Sequence, residues 1–289
     1  MKLGVIIVVY KSEAVIFNCL DSINRYNDLG DNLEVIIVDN DLLSTLGEEL
    51  DASKYGYALK YQKAEGNNGF GAGNNLGASF STSEVLLFLN PDTVLVESLF
   101  YDVYGAIHED KNLVYGFSLT DKDGGKNNSY SFFYDSFLRY RFLSLVKRFS
   151  YQKPIRSRVS NKYVWPWGAA FAINREVFLN AGGFDENIFL CNEEPDLLKR
   201  LPQRRVFISD HNIIHLEGHG TVVSENRYYH AFKSFKYYQD KYSMSKFNRT
   251  LWDIYVRLLC IRYKLFSNDE SNVNYVKAYN RIRKEYTNK

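Results

Sequence analysis

Three short runs of the chain are apolar at nearly every residue rather than at alternate ones: Leu3–Val9, Leu33–Val38 and Val85–Leu89. A strand with one wet face alternates; a run like these belongs to a strand covered on both faces, as in parallel sheets. Each run stops in polar residues, namely Tyr10-Lys11, Asp39-Asn40 and Asn90-Pro91-Asp92-Thr93. Helix signals lie between them. Ser12 stands where it can cap a helix carrying Val15, Cys19, Leu20 and Ile23. The glycine-rich stretch Gly66–Ser81 reads as a loop and short helix, and Glu97–His108 as a further helix. Tyr57–Gln62 and Leu113–Phe117 supply weaker strands. This rhythm implies an α/β protein with a mostly parallel, doubly wound sheet.

Beyond residue 120 the pattern changes. Asp121–Asn128 is a turn cluster, and Tyr130–Tyr163 is basic and aromatic without clean periodicity, which reads as a mobile excursion, helical in part. Trp165–Phe184 returns to globular character. Pro195 suits a first helical turn, making Glu194 the expected N-cap of a helix to about Leu201. After Glu225 come helices Tyr228–Tyr242, Lys246–Phe266 and a polar one near the C-terminus.

Charge is unevenly spread. Leu138–Lys162 carries +8 and Asn226–Phe266 carries +7, leaving −13 on the remainder of a chain whose net charge is +2. Such a chain lays chosen faces against anionic partners, or merely solvates two helices. No apolar run nears the ~18 residues of a membrane span. The run at Leu3 is preceded by a single Lys, is followed by Lys11 and Glu13, and has no small-residue cleavage site, against a signal peptide. Cys19, Cys191 and Cys260 are odd in number and far apart, against a disulfide framework or zinc knuckle and in keeping with a reducing compartment.

In an open parallel sheet, ligands bind beyond the carboxyl ends of the strands. Asp39 there can accept from a base or a ribose hydroxyl, and Asp92 can hold a divalent cation that neutralises a diphosphate. Both also sit in ordinary turn openers. Gly69-Phe-Gly-Ala-Gly73-Asn-Asn-Leu-Gly77 fails the dinucleotide spacing, because Asn74 and Leu76 stand where glycine is required. It reads as a close-packed helix start, with Asn68 and Asn75 as candidate sugar or diphosphate contacts. No GxxxxGK[ST] loop, HExxH or GxSxG is present. Carboxylates crowd at Asp185-Glu186 and Glu193-Glu194-Pro195-Asp196, where a helix start would hold them charged. His215 and His219 lie among glycines, so a loop is expected, with one histidine available to a metal or diphosphate.

Taken in order, Val8-Val9-Tyr10-Lys11, Val38-Asp39-Asn40, Asn68–Gly77, Leu89-Asn90-Pro91-Asp92, Gly182–Glu186 with Glu193–Leu197 and Arg200, and His215 with Gly218 resemble a family-2 glycosyltransferase, in particular its bacterial rhamnosyltransferase-like branch. The resemblance spans roughly residues 1–240. It implies a GT-A fold over 1–224, with a nucleotide-sugar half (1–118), an acceptor half (119–224) carrying the basic excursion 138–162, and a helical extension (225–289). It implies inverting transfer from a nucleotide-diphosphate sugar, dTDP-L-rhamnose being favoured over a UDP-hexose or UDP-galactofuranose. Val9, Tyr10, Asp39, Asn68, Asn75, Asn90 and Asp92 would bind the donor. Asp92 and His215 would hold Mg2+ or Mn2+, and Trp167, Gly168 and Asp185 would meet the acceptor. Glu194 would be the base, with Glu193 as its rival and Asp196 in support. Asn90 replaces the first acid of a full DXD, and Glu194-Pro195 replaces the usual Asp-x. That extra methylene opens the alternative of a non-catalytic nucleotide-sugar-binding protein.

Such enzymes extend a surface glycan, usually borne on a polyprenyl diphosphate at the cytoplasmic membrane face. Peripheral contact through 138–162 and through Lys246–Lys264, with Trp252, Tyr255, Leu258, Leu259 and Tyr263, is therefore expected, packing onto the body being the competing reading. The same helices are able to pair chains into an oligomer. Nucleic acid is not an expected partner, since it would leave the acidic strand ends without a role.

Overall fold

The computed structural model describes residues 1–149, 163–216 and 223–287. Its elements, in chain order, are β1 (Leu3–Val9), α1 (Glu13–Arg25), β2 (Leu33–Asp39), α2 (Leu46–Glu49), β3 (Ala58–Lys63), α3 (Phe70–Phe80), β4 (Val85–Leu89), β5 (Thr93–Leu95) and α4 (Phe100–Glu109). There follow β6 (Leu113–Thr120), β7 (Tyr130–Phe132), α5 (Phe137–Phe149), β8 (Val164–Pro166), β9 (Ala170–Asn174), α6 (Arg175–Asn180), α7 (Glu193–Lys199) and β10 (Arg205–His215), and then α8 (Glu225–Lys241), α9 (Lys246–Phe266) and α10 (Glu270–Thr287).

The three apolar runs form β1, β2 and β4, whose residues are almost all buried. They lie side by side in a sheet of order β3-β2-β1-β4-β9-β6-β10-β5. The pairs among β3, β2, β1 and β4 are parallel, as is β6 with β10. β9 enters antiparallel between β4 and β6, and β5 closes the edge antiparallel to β10. The expected parallel sheet is therefore a mixed one. Ala-Phe-Ala-Ile-Asn of β9 is buried throughout and reads like any two-faced strand, so its direction left no local mark.

Two apolar layers cover the sheet. One joins α1 and α4 to it through Ile16, Leu20, Phe100 and Ile107; the other includes Phe88, Phe171, Phe178 and Phe184. The glycines of α3 permit close approach. A methyl on Gly73 would come within 2.7 Å of Val8 Cγ1, and one on Gly77 would overlap Ile6. The packing reading of this stretch accounts for them.

Several local expectations shift. Ser12 does not cap α1 with its side chain; its hydroxyl bonds to the Tyr10 carbonyl at 3.2 Å. β3 starts one residue late because Tyr57 turns inward to donate to the Leu20 carbonyl. Asn192, in left-handed backbone, precedes α7, so Glu194 is its second residue and Pro195 its third. The excursion after residue 129 contains α5 and a two-stranded antiparallel sheet of β7 and β8; its part from 150 to 162 lies outside the described residues, as do Gly218 and His219.

The C-terminal helices pack through Tyr229, Cys260, Val276, Tyr279 and Ile282. α8 also reaches back to the α/β body: Lys241 Nζ lies 2.6 Å from both Asp185 and Asp196, and Tyr242 donates to Asp196 at 2.8 Å. Among the described residues, no helix is long and apolar enough to cross a membrane.

Candidate active site

Parallel register sets the rim. Val9 stands opposite Asp39, and Leu89 opposite Ala170 of β9. The Asn90 N–H then donates to the Ala169 carbonyl at 2.9 Å, joining the Asn-Pro-Asp turn to the loop that holds Gly168. A methyl built on Gly168 would overlap Glu194 Oε1, so the Glu194 carboxylate rests directly on this glycine. The candidate metal turn and the candidate base thereby occupy adjoining parts of one rim.

On the nucleotide-sugar half the polar groups are engaged. Asp39 is buried and accepts from Tyr61 Oη at 2.7 Å and from the Asp41 N–H at 2.9 Å, with Lys63 Nζ at 3.7 Å. Burial, followed by the bond to Asp39, raises the Tyr61 hydroxyl and keeps it a donor. Asn40 clamps Gly69 by donating to its carbonyl at 3.1 Å. Val9 is sealed in the core and its carbonyl accepts from the Asn40 N–H, whereas Tyr10 is exposed at the end of β1. Asn68 and Asn75 line a cleft of about 460 Å³ together with Asn40 and Lys63. Asn75, expected to touch the donor, spends its amide on the Phe184 backbone (2.8 and 2.9 Å) and on Glu186 (3.0 Å).

Asp92 is partly exposed, and its Oδ1 lies 3.4 Å from Nε2 of the buried His215 at the end of β10. Among the described residues, no three His, Cys, Asp or Glu side chains gather into a metal cage. One carboxylate and one imidazole nonetheless suit Mg2+ or Mn2+, ions that complete their shells with water and substrate phosphates.

The first turn of α7 differs. Glu193 is 1% exposed, and its Oε1 has no hydrogen-bond partner. Glu194 is half-buried. Burial pushes the Glu194 carboxyl up to about 7, and burial together with Glu194 raises Glu193 well above the usual range. A helix start favours a carboxylate by only about 0.3–1 kcal/mol, less than one pKa unit, so desolvation wins. Asp196, two residues on, is fully bonded: Arg200 holds one oxygen at 2.8 and 3.0 Å, and Lys241 and Tyr242 hold the other.

Asp185, expected to face the acceptor, accepts from Lys241, Tyr237 and Asn187, which hold its carboxyl far below the ordinary range despite desolvation. It serves the α8 clamp. Sequence reasoning missed Tyr61, Lys63, Lys241 and Tyr242. The two tyrosines and two lysines reach their carboxylates from distant elements and lie in no motif. Trp167 is half-buried and stacked on Trp165, with ring centroids 5.6 Å apart.

The glycosyl transferase family 2 model matches residues 4–179, which hold the ends of β1, β2 and β4 and Gly168 but neither α7 nor His215. The chain belongs to that family. It is 23% identical over 248 residues to a hexosyltransferase of low-salt glycan biosynthesis from Haloferax volcanii, covering 84% of this chain and 75% of that protein. Among solved structures it resembles S. aureus TarS (TM-score 0.56, 16% identity, 93% of this chain and 44% of that one). It also resembles a mannosyltransferase from Pyrobaculum calidifontis in complex with GDP-Man and Mn2+ (TM-score 0.56, 16% identity, 81% and 63%). GalNAc-T7 with UDP, GalNAc and Mn2+ is similar again (TM-score 0.58, 15% identity, 81% and 47%). The chain thus spans less than half of the TarS and GalNAc-T7 chains. These likenesses establish a GT-A fold with C-terminal helices.

Proposed function

We propose that this protein is an inverting hexosyltransferase that moves a sugar from a nucleotide diphosphate to a hydroxyl of a growing, lipid-linked surface glycan. The observation that carries the reading is the Glu194 carboxylate on Gly168, one residue from the carbonyl that anchors the Asn90–Asp92 turn. In this reading Asp39 and the exposed Tyr10 receive the nucleoside. Asp92 and His215 hold Mg2+ or Mn2+, and Asn90 shapes the turn. A divalent ion there supplies charge neutralisation to the departing diphosphate. The acceptor oxygen attacks the anomeric carbon from the face opposite the diphosphate. The bond from that carbon to the phosphate oxygen breaks, its electron pair leaves with the nucleotide, and the hydroxyl proton passes to Glu194. Glu194 is favoured over Glu193 because Glu193 is buried with its side chain against Gly71, whereas Glu194 remains partly open to solvent.

The resemblance favours dTDP-L-rhamnose as donor, with UDP-hexose and UDP-galactofuranose next. Melting curves with a panel of nucleoside diphosphates and their sugars, with and without Mn2+, test the reading. One nucleotide sugar should raise the melting temperature in a Mn2+-dependent manner that Asp92→Ala abolishes. A panel without effect, or a shift indifferent to Asp92, overturns it.

A peripheral place on an anionic membrane at the inner face is supported by α9. Phe247, Ile254, Leu258, Ile261 and Leu265 are exposed and fall on one line of the helix, flanked by exposed Lys246, Arg257, Arg262 and Lys264. Trp252, expected on that surface, is instead buried against Tyr134, Phe137 and Tyr140, and donates to the Tyr134 carbonyl.

A further inference from the structure

Helix α7, which carries Glu194, is anchored from two sides. Arg200 bonds Asp196 within the helix and donates to the Ala181 and Gly183 carbonyls of the preceding turn. The second anchor comes from α8. Lys241 Nζ lies 2.6 Å from Asp185 Oδ2 and 2.6 Å from Asp196 Oδ1, so one ammonium ties both ends of the 185–196 segment. Tyr237 donates to Asp185 Oδ2 at 2.9 Å, and Tyr242 to Asp196 Oδ1 at 2.8 Å. Between those ends the His230 ring lies on Phe189, with centroids 4.3 Å apart, and the Phe189 carbonyl accepts from the Phe70 N–H at 3.1 Å. The end of α8 is itself fixed, because Arg249 of α9 donates to the Gln239 and Met244 carbonyls at 2.7 and 2.8 Å. Both α7 and α8 lie outside the residues that the family model matches.

We propose that Lys241 is a positioning residue: by bridging Asp185 and Asp196 it sets where α7 stands, and therefore how the Glu194 carboxylate meets Gly168. The inference rests on the glycosyl-transfer reading and gives the C-terminal helices a part in that same site. Arg200 ties α7 to the turn just before it, whereas Lys241 ties it to a separate layer of the molecule. Burial works against the charge of Lys241, but the bonds to Asp185 and Asp196 outweigh it and raise the ammonium above its ordinary value. A charged donor between two carboxylates makes short, strong bonds. Glu194 stands two residues before Asp196, about 3 Å of helix rise, so a shift at Asp196 passes to it within one turn. Gly168 gives the carboxylate no spare room, since even a methyl there would overlap Glu194 Oε1. Reacting geometry of this kind loses ~10²-fold in rate for a misplacement of about 1 Å.

Lys241→Met in the full chain tests this, because it keeps the side-chain length and removes the charge while Arg200, Tyr237 and Tyr242 still hold the two acids. Release of nucleoside diphosphate is followed with dTDP-L-rhamnose and UDP-glucose as probes. The kcat of Lys241→Met should fall roughly tenfold or more, while the Mn2+-dependent melting shift by dTDP or UDP is unchanged. Lys241→Arg, which can still bridge two carboxylates, should regain most of the rate. Val276→Ala, which loosens the packing of the C-terminal helices, should lower the melting temperature and keep kcat, separating positioning from simple destabilisation. Hydrogen exchange gives a readout without turnover: the amides of Glu193–Lys199 should exchange roughly tenfold faster in Lys241→Met, with β1, β2 and β4 as in wild type. Wild-type kcat in Lys241→Met overturns the proposal, and so does wild-type exchange in α7 or an equal loss of rate in Val276→Ala. The two readings fail separately. Wild type without Mn2+-dependent nucleotide binding breaks the transferase reading, whereas intact nucleotide binding with an indifferent Lys241→Met breaks only this one.

Discussion

At the carboxyl ends of β1, β2 and β4 the buried polar groups are bonded within the protein, whereas at the first turn of α7 two neighbouring carboxylates are desolvated and Glu193 Oε1 has no partner. The contrast separates two tasks. Asp39 and Asn40 are held in place by bonds within the protein, and in the proposed reading this keeps the nucleoside site formed at low entropic cost. Glu194 is kept in surroundings that penalise its charge, which makes it a better proton acceptor near neutrality than an ordinary carboxylate. Asp196 lies between these extremes: it shares α7 with the desolvated pair yet is bonded as fully as Asp39.

Breaking that bonded member should have the largest effect on the fold. Asp196→Asn leaves Arg200 and Lys241 facing a neutral group, and because both cations are about a quarter exposed, the loss should sit near the low end for buried pairs, about 3 kcal/mol. Chemical denaturation of the variant measures it; a loss below about 1 kcal/mol would mean that α8 is held elsewhere. Gly168→Ala sharpens the contrast from the other side. The added methyl displaces the Glu194 carboxylate, and a misplacement of about 1 Å can cost ~10²-fold in kcat. Nucleotide binding should be unchanged, so steady-state kinetics beside nucleotide melting shifts separate this from misfolding. The smallest effect is expected at Glu34 in β2, where Ser81, Ser83, the Thr82 N–H and Lys60 outweigh burial and hold the carboxyl at about 2. Its contribution is fully present above the ordinary value near 4.5 and is lost as pH falls towards 2. The melting-temperature advantage of wild type over Glu34→Gln should vanish across that window.

Much of the donor half was legible because its signals are local. Continuous apolar runs announce β1, β2 and β4, and the polar residues that end them do face one rim. The C-terminal helices were legible too, with α9 falling on the expected residues. The antiparallel entry of β9 was not, since a two-faced buried strand carries no mark of direction. Nor was the distinction among Glu193, Glu194 and Asp196, three acids within four residues. Their fates are decided by Gly168 and by Lys241 and Tyr242, which no periodicity links to α7. The sequence left α9 open between membrane contact and packing onto the body, and for Trp252 packing holds, because the rings of Tyr134 and Phe137 cover it.

The pH dependence of kcat/KM for wild type and Glu194→Gln, measured beside their melting temperatures, tests the central claim most directly. Wild-type kcat/KM should fall as pH drops below about 7, and the glutamine variant should lose ~10²–10⁴-fold together with that limb. Because the raised carboxyl stabilises the fold below its ordinary value and loses that contribution as pH rises through about 7, Glu194→Gln should melt higher than wild type at pH 8. A glutamine variant that keeps the wild-type rate and its acid limb would contradict the account.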